Sequence, residues 1–388
     1  MSVVPTILYC TRSNRLLAGA KLLGASRCAA KHGFAVQTVE EFDRDRTPPA
    51  NLVEFWHPQG VIADCSGRSN LFHRADFRGI PVVHLDCPPP RRTAEGFRVF
   101  SDSNLIGQLA ARELLMLDYP HFAFVGYPEP RFWSGERRHA FAASLAMNGR
   151  RLTAAADFDF DQDVTIAHRR LRDWLAKLPR PCAIYAANDR MAEQVTIAAR
   201  TISARIPEDF ALIGTDNEVE RCENAVPPIS SIGLDFEHAG YLAMELMVQR
   251  IRKPHAKSAS RTFGCSLFVH RESSRLLRRQ HPKIAMVLKL IREQATTGLR
   301  AAEALDILGG SRRLAELRFK EAVGHSVMDE ILAVRTQRAM ILLADPARQI
   351  NEISGLCGYL SPNAFRRIFK SETGLTPRAW RKAKFPTC

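Results

Sequence analysis

The sequence predicts a two-lobed α/β domain followed by an all-α domain with two helix-turn-helix motifs. From Thr6 to Val269, short apolar runs alternate with longer helical stretches, as parallel strands joined by helical crossovers require. After Arg279 only helical periodicity remains, and within that stretch a helix, a glycine turn and a second helix occur twice.

The first lobe begins with a strand at Thr6–Cys10 and a helix at Asn14–Lys31, whose Leu16, Leu17, Ala20 and Leu23 share one side. Strands at Phe34–Val39, Gly60–Asp64 and Pro81–Asp86 follow, with a proline-broken helix at Leu52–Trp56 and a helix at Ser103–Leu117. A second set of similar size has strands at Phe122–Gly126, Cys182–Ala186, Ala211–Thr215 and Ile232–Leu234. Its helices span Gly135–Met147, Asp163–Leu178, Arg190–Ile202 and Phe236–Ile251, and a final strand spans Thr262–Val269. Two such sets imply two lobes with a cleft at the carboxyl ends of their strands, where ligands of parallel sheets collect.

Those strand ends are polar: Asp64, Asp102, Asn188-Asp189 and Asp216-Asn217-Glu218. An aspartate after a strand is more often a helix cap than a ligand contact, and Asp102 and Asp163 fit the cap best. Asp189 and Asp216 are the preferred ligand contacts, with Asp64 and Asn217 as further hydrogen-bonding groups for a polyhydroxylated ligand. Trp133 offers a stacking face and Arg137 a guanidinium for ligand oxygens.

The second half of the C-terminal region spans Gln349 to Lys370. Ile350, Ile353 and Leu356 line one helix, Gly358 permits the turn, and Ser361-Pro362 opens the next helix as cap and first residue. Phe365, Ile368 and Phe369 form the inner stripe, which leaves Asn363, Arg366, Arg367 and Lys370 facing outward, as a major-groove helix needs. The first half ends in Ser311 to Lys320, where Ser311, Arg312, Arg313, Glu316, Leu317 and Lys320 are the candidate DNA contacts. A helix at Val327–Leu343, about 25 Å long, would set the two recognition helices about one turn of B-DNA apart. Arg335 falls on its apolar stripe and is expected to serve a structural ion pair with a carboxylate.

Charge supports the division. The net charge is +14, and Lys283 to Cys388 carries 18 Lys and Arg against 10 Asp and Glu, which favours a polyanionic partner. The nine cysteines are scattered without CxxC pairs or zinc spacing, so no disulfide framework, metal site or cofactor is expected, and a reducing cytoplasm suits them. Neither a signal-peptide pattern nor an apolar run of about 18 residues occurs, so no membrane partner is expected.

Two resemblances sharpen these expectations. Val99 to Asn104, Arg137 to Phe141, Ile213 to Glu218 and His270 to Ser274 resemble the binding core shared by periplasmic sugar-binding proteins and LacI-type repressors. That resemblance implies a binder in which Arg137 and Asp216 reach a sugar. Ile350 to Ile353, Cys357 to Tyr359, Phe365 to Lys370, Gly374 to Pro377 and Trp380-Arg381 closely resemble the AraC-type DNA-binding domain. One departure is Ala315, where that family commonly has leucine, so packing is expected to rely on Leu314 or Leu317.

Together the resemblances imply a sensor at 1–275, a linker at 276–282 and a DNA-binding domain at 283–388. They imply a cytoplasmic transcription regulator, an activator type included, that acts as a homodimer on double-stranded operator DNA. Xylose or a related sugar would be the effector and RNA polymerase a partner. The rival is an enzyme of amidotransferase-like or DNA-repair type with a DNA-binding tail. Cys65, just after a strand, would be its nucleophile and His84 its base; a small residue in a strand-helix turn is the simpler account.

Overall fold

The computed structural model describes residues 4–11, 15–40, 48–65, 74–88, 96–117, 119–129, 131–161, 163–255, 258–274, 282–323, 325–343 and 348–384. It divides into two compact units, Met1–Ser274 and Arg275–Cys388. Most of the expected linker at 276–282 lies outside the described residues.

The first unit starts with β1 (Thr6–Thr11), α1 (Arg15–Lys31), β2 (Ala35–Val39), α2 (Pro49–Trp56), β3 (Gly60–Asp64), β4 (Val82–Leu85) and β5 (Gly96–Ser101). The chain then crosses to a second sheet through α3 (Ser103–Leu115), β6 (His121–Gly126), α4 (Phe132–Met147), β7 (Ala154–Asp157), α5 (Val164–Ala176) and β8 (Cys182–Ala186). It continues in that lobe with α6 (Asp189–Thr201), β9 (Phe210–Asp216), α7 (Val219–Asn224) and β10 (Ser230–Leu234). It returns with α8 (Phe236–Arg252) and β11 (Ser258–Phe263), and crosses a last time into β12 (Cys265–Val269).

The two sheets have strand orders β11-β5-β4-β3-β1-β2 and β12-β10-β9-β8-β6-β7. All described pairings are parallel except β10 with β12. Continuous apolar runs such as Cys182–Ala186 are buried along their whole length because helices cover both faces of each parallel sheet. The three crossings are tied together: Asp102 N–H donates to Phe263 O at 3.0 Å and Asp235 N–H to Gly264 O at 3.1 Å.

Three differences from the sequence expectation have local causes. β5 is not among the strands expected above because Gly96, Arg98 and Ser101 leave it no continuous apolar run, and β7 because three alanines carry helix propensity. The expected single strand Thr262–Val269 is two strands, since Gly264 separates β11 in one sheet from β12 in the other.

Glycines set the closest helix contact of the first lobe. A Cβ on Gly24 would lie 1.8 Å from Glu237 O, and one on Gly240 would lie 1.7 Å from Lys21 O. α1 and α8 therefore touch backbone to backbone, which fixes the height of Lys21 above the sheet.

The second unit comprises α9 (Pro282–Gln294), α10 (Ala301–Asp306), α11 (Arg312–Val323), α12 (Val327–Leu343), α13 (Ile350–Leu356), α14 (Pro362–Thr373) and α15 (Pro377–Lys384). One core gathers Ile284, Val287, Ile291, Leu305, Phe319 and Ile331, and another gathers Leu343, Ile353, Cys357, Phe365, Phe369 and Trp380. α12 contributes to both. Arg335 on α12 does not meet the expected carboxylate: its Nε donates to Ala295 O at 2.8 Å and its Nη2 to Leu299 O at 2.9 Å. These carbonyls close the segment between α9 and α10, which has no later helical turn to donate N–H groups to them. Gly358, at φ 75°, packs on the same segment, where a Cβ would lie 2.8 Å from Ala295 O and Thr296 O. The packing expectation at Ala315 is also corrected. Ala315 itself is 1 % exposed and belongs to the first of these cores, while Leu314 and Leu317 are 40 % and 52 % exposed.

Gly240→Ala is expected to destabilise the first unit by about 1–3 kcal/mol through overpacking, seen as a lowered urea midpoint. Gly19→Ala, on the same α1 with nothing within 4 Å of its Cβ position, should leave the midpoint unchanged or raise it.

Candidate ligand site and nucleic-acid interface

The first-lobe wall of the cleft is built on a buried cation. Lys21, 1 % exposed, lies 3.1 Å from Asp64 Oδ1 and 2.8 Å from Asp86 Oδ2. Tyr9 OH donates to Asp64 Oδ2 at 3.1 Å. Burial would lower the Lys21 pKa, but the two carboxylates outweigh it and hold the ammonium above its ordinary value. Asp64, predicted as a ligand contact, is therefore 3 % exposed with both oxygens engaged inside the lobe. Asp86, one residue past β4 at φ 54°, keeps an 18 % exposed side chain. Neither Lys21 nor Asp86 was singled out from the sequence. Lys21 does fall four residues after Leu17, on the apolar stripe of α1, and a lysine there signals a buried partner.

The second-lobe wall brings four predicted residues together. Arg137, 4 % exposed, donates from Nη1 to Ala187 O at 2.6 Å and lies 3.8 Å from Asp216 Oδ1. Trp133 covers its guanidinium at 4.8 Å and packs edge-on against Tyr127 at 5.5 Å. Arg137 Nε is buried and meets no acceptor among the described residues. Asn217 follows Asp216 and accepts from Arg271. Burial raises the Asp216 pKa well above the carboxylate range; Arg137 opposes this, and the charges of Asp189, Glu218 and Asp86 add to it. Asp86 belongs to the opposite lobe, so the two walls face one another closely enough to interact.

Asp189 has a different place. It is fully buried within its own lobe, accepting from Ser231 Oγ at 2.6 Å and Glu218 N–H at 2.8 Å. Asn188 caps α6, accepting from Met191 N–H at 3.0 Å. Asp189 thus braces the Asp216 loop from behind. Asp102 and Asp163 cap α3 and α5 as expected.

Sequence reasoning missed the Tyr127 surround. Tyr127 OH donates to Asn188 Oδ1 at 3.2 Å, Arg131 stacks on the Tyr127 ring at 4.5 Å, and Asp161 pairs with both Arg131 and Arg190. A tyrosine directly after a strand was the available signal. On the hinge flank, Phe100, Asp102, Phe132 and Glu136 help enclose a separate groove of about 590 Å³ that none of the six predicted ligand residues lines.

The nucleophile reading of Cys65 is not supported by its surroundings. Burial pushes the thiol well up, and Cys87, Asp64 and Asp86 add to the shift, so the reactive thiolate is disfavoured. No group of three metal-ligating side chains occurs among the described residues. No helix among them is long and apolar enough to cross a membrane.

In the second unit, Ser311 caps α11 by accepting from Leu314 N–H at 3.3 Å, and Arg312, Arg313, Leu317 and Lys320 are exposed. Glu316 is half-buried and accepts from Val327 N–H at 3.1 Å; it caps α12 and is turned to the fold. Ser361 caps α14 through Ala364 N–H at 3.2 Å, and Pro362 takes the first helical position. Asn363, Arg366, Arg367 and Lys370 are exposed. Arg366 is held by Asn363 Oδ1 at 3.1 Å and by Asn351 Oδ1 of α13 at 2.9 Å. Arg367 and Lys370 form no ion pair among the described residues.

Burial raises the Asp189 pKa to about 7. The folded state then holds a proton that the unfolded chain loses near pH 4, so stability falls as pH rises from about 4 to 7 and levels off above. Asp189→Asn should flatten the urea midpoint over that window. An unchanged slope would place the titration elsewhere.

Comparison with known proteins gives a consistent picture. Residues 111–274 match a periplasmic binding protein-like domain and residues 305–383 a helix-turn-helix domain. The chain is 28% identical over 354 residues to the xylose operon regulatory protein of Escherichia coli K12, covering 88% of each. Its fold matches the xylose-binding transcription activator xylR with a TM-score of 0.59 at 24% identity, over 97% of this chain and 98% of that one. A complex of the regulator CelR with cellobiose matches at a TM-score of 0.58 and 22% identity, over 70% of this chain and 86% of the other. The chain is thus a homologue of the xylose operon regulatory proteins, joining a periplasmic binding protein-like domain to a helix-turn-helix domain.

Proposed function

We propose that this chain is a sequence-specific, sugar-responsive transcription regulator, not an enzyme. Residues 1–275 sense a small sugar, 276–282 link, and 283–388 bind operator DNA. The observation that carries the sensor assignment is the buried Arg137 Nε without an acceptor, beside Asp216 and under Trp133. A buried guanidinium donor left unpaired is costly, and a ligand hydroxyl in the cleft would satisfy it. Asp86 and Asp216 on facing walls offer carboxyl oxygens that can exchange hydrogen bonds with hydroxyl groups, which suits a polyol. Xylose, named for the relatives above, is the effector proposed, with Asp86, Trp133, Arg137, Asp216 and Asn217 as its contacts.

The reader assignment rests on exposed cations of α14 and α11 that form no ion pair among the described residues, and on the excess positive charge of the C-terminal region. Arg367, Lys370, Arg312, Arg313 and Lys320 are the proposed DNA contacts, with Ser361 and Ser311 at the helix starts near phosphates. A homodimer in the cytoplasm, acting with RNA polymerase as activator, completes the proposal.

Saturating D-xylose is expected to raise the melting temperature of the wild type, and Asp216→Asn should abolish the shift while leaving operator affinity without sugar intact. A panel of pentoses, hexoses and uronic acids with no shift at all would refute the sensor. Arg367→Ala and Lys370→Ala should each weaken operator binding, by about 1–3 kcal/mol for a base contact or with a salt slope smaller by about 1 for a phosphate contact. Glu316→Ala should instead lower stability without changing that slope.

A further inference from the structure

Two successive non-glycine residues at the end of β9 have positive φ, Asp216 at 105° and Asn217 at 51°. Such backbone persists only where its surroundings over-determine it. Those surroundings are polar and specific. Asn217 N–H donates to Ser231 Oγ at 3.0 Å, Glu218 N–H donates to Asp189 Oδ2 at 2.8 Å, and Asn217 Oδ1 accepts from Arg271 Nη2 at 3.0 Å.

Arg271 is 3 % exposed. Its Nη1 donates to Ile229 O at 2.9 Å and its Nε to Glu223 Oε1 at 2.5 Å. Its backbone N–H donates to Ser230 Oγ at 2.7 Å. Ser230 also holds the end of the unit: its N–H donates to Ser273 Oγ at 2.9 Å and its hydroxyl lies 2.7 Å from Ser274 Oγ. Ser273 Oγ in turn donates to Leu212 O on β9 at 2.6 Å. The next residue, Arg275, begins the second unit.

We propose that Arg271 is a positioning residue that couples occupancy of the Asp216–Asn217 loop to the point where the chain leaves the sensor, through Asn217 on one side and Ser230 on the other. The guanidinium is planar and presents its donors in a fixed fork, so displacement of one acceptor is carried to the others. Being buried, it has no water to replace a lost partner. A sugar that favours one loop position therefore favours one arrangement of Arg271–Ser274, and binding at the two ends of the chain becomes linked. This rests on the sugar-sensor reading above, and it concerns the coupling, not the contact itself.

The test compares operator affinity with and without saturating D-xylose, alongside D-xylose affinity by calorimetry, in the full chain. The wild type should show an operator response of about 5- to 150-fold. In Arg271→Gln the response should collapse to about 2-fold or less, while D-xylose affinity changes by less than about tenfold. Arg271→Lys, which keeps the charge but not the fork, should be intermediate. Should Arg271→Gln lose its cooperative melt, Glu223→Gln removes the charged, half-exposed anchor of the same guanidinium and should reduce the response by a smaller factor. A folded variant that keeps the full response would overturn the proposal, as would a D-xylose affinity that falls as far as the response does. A wild type with no response to any sugar would instead sink the sensor reading, a different outcome from a response that survives Arg271→Gln.

Discussion

The contact between α1 and α8 at Gly24 and Gly240 governs the sensor's chemistry. Because no side chain separates the helices, the backbone of Lys21 rests where a Cβ of residue 240 would be. The ammonium then lies among the ends of β3 and β4, between Asp64 and Asp86. An ammonium buried this deeply is tolerable only with paired carboxylates, and the two carboxylates only with the ammonium. The outcome is a division of labour between two aspartates: Asp64 is consumed in holding the lysine, and Asp86 is left at the cleft. The polar wall of the first lobe is thus a consequence of helix packing behind it.

The second lobe uses the same economy differently. Asp189 and Arg271 support the Asp216–Asn217 loop from behind, so its unusual backbone is maintained by hydrogen bonds that no ligand needs to touch. Asp189 looked like a binding residue because it stands at a strand end, where binding residues of α/β sheets occur. Strand ends, however, are also where sheets need polar braces for the loops they emit. Burial decides between the two roles, and it depends on the neighbouring strands.

The architecture was legible in the sequence because it depends on periodicity. α12 was anticipated over its full span, Val327–Leu343, and the caps at Asp102, Asp163 and Ser361 followed from residue type and spacing. β5 and β7 escaped because neither offers a continuous run of large apolar residues. The partners of Lys21, Glu316 and Arg335 escaped for a deeper reason. Each pairs with a group 11 to 65 positions away in the chain, and local patterns contain no such information. Arg335 shows the difference well: its place on the apolar stripe was evident, but its partners are backbone carbonyls that composition does not encode.

Those carbonyls also matter for how a DNA-reading unit can evolve. Ala295 and Leu299 accept from Arg335, and Gly358 of the second motif's turn rests on Ala295 and Thr296. The two motifs share a joint, and α12 runs through both cores. A reader jointed in this way behaves as a ruler of fixed length. Its target sites can drift by exchanging bases, but an inserted or deleted base pair between the two contacted segments would rotate one of them away from its helix. Spacing, more than base identity, would then be the slowest-changing property of the sites it recognises.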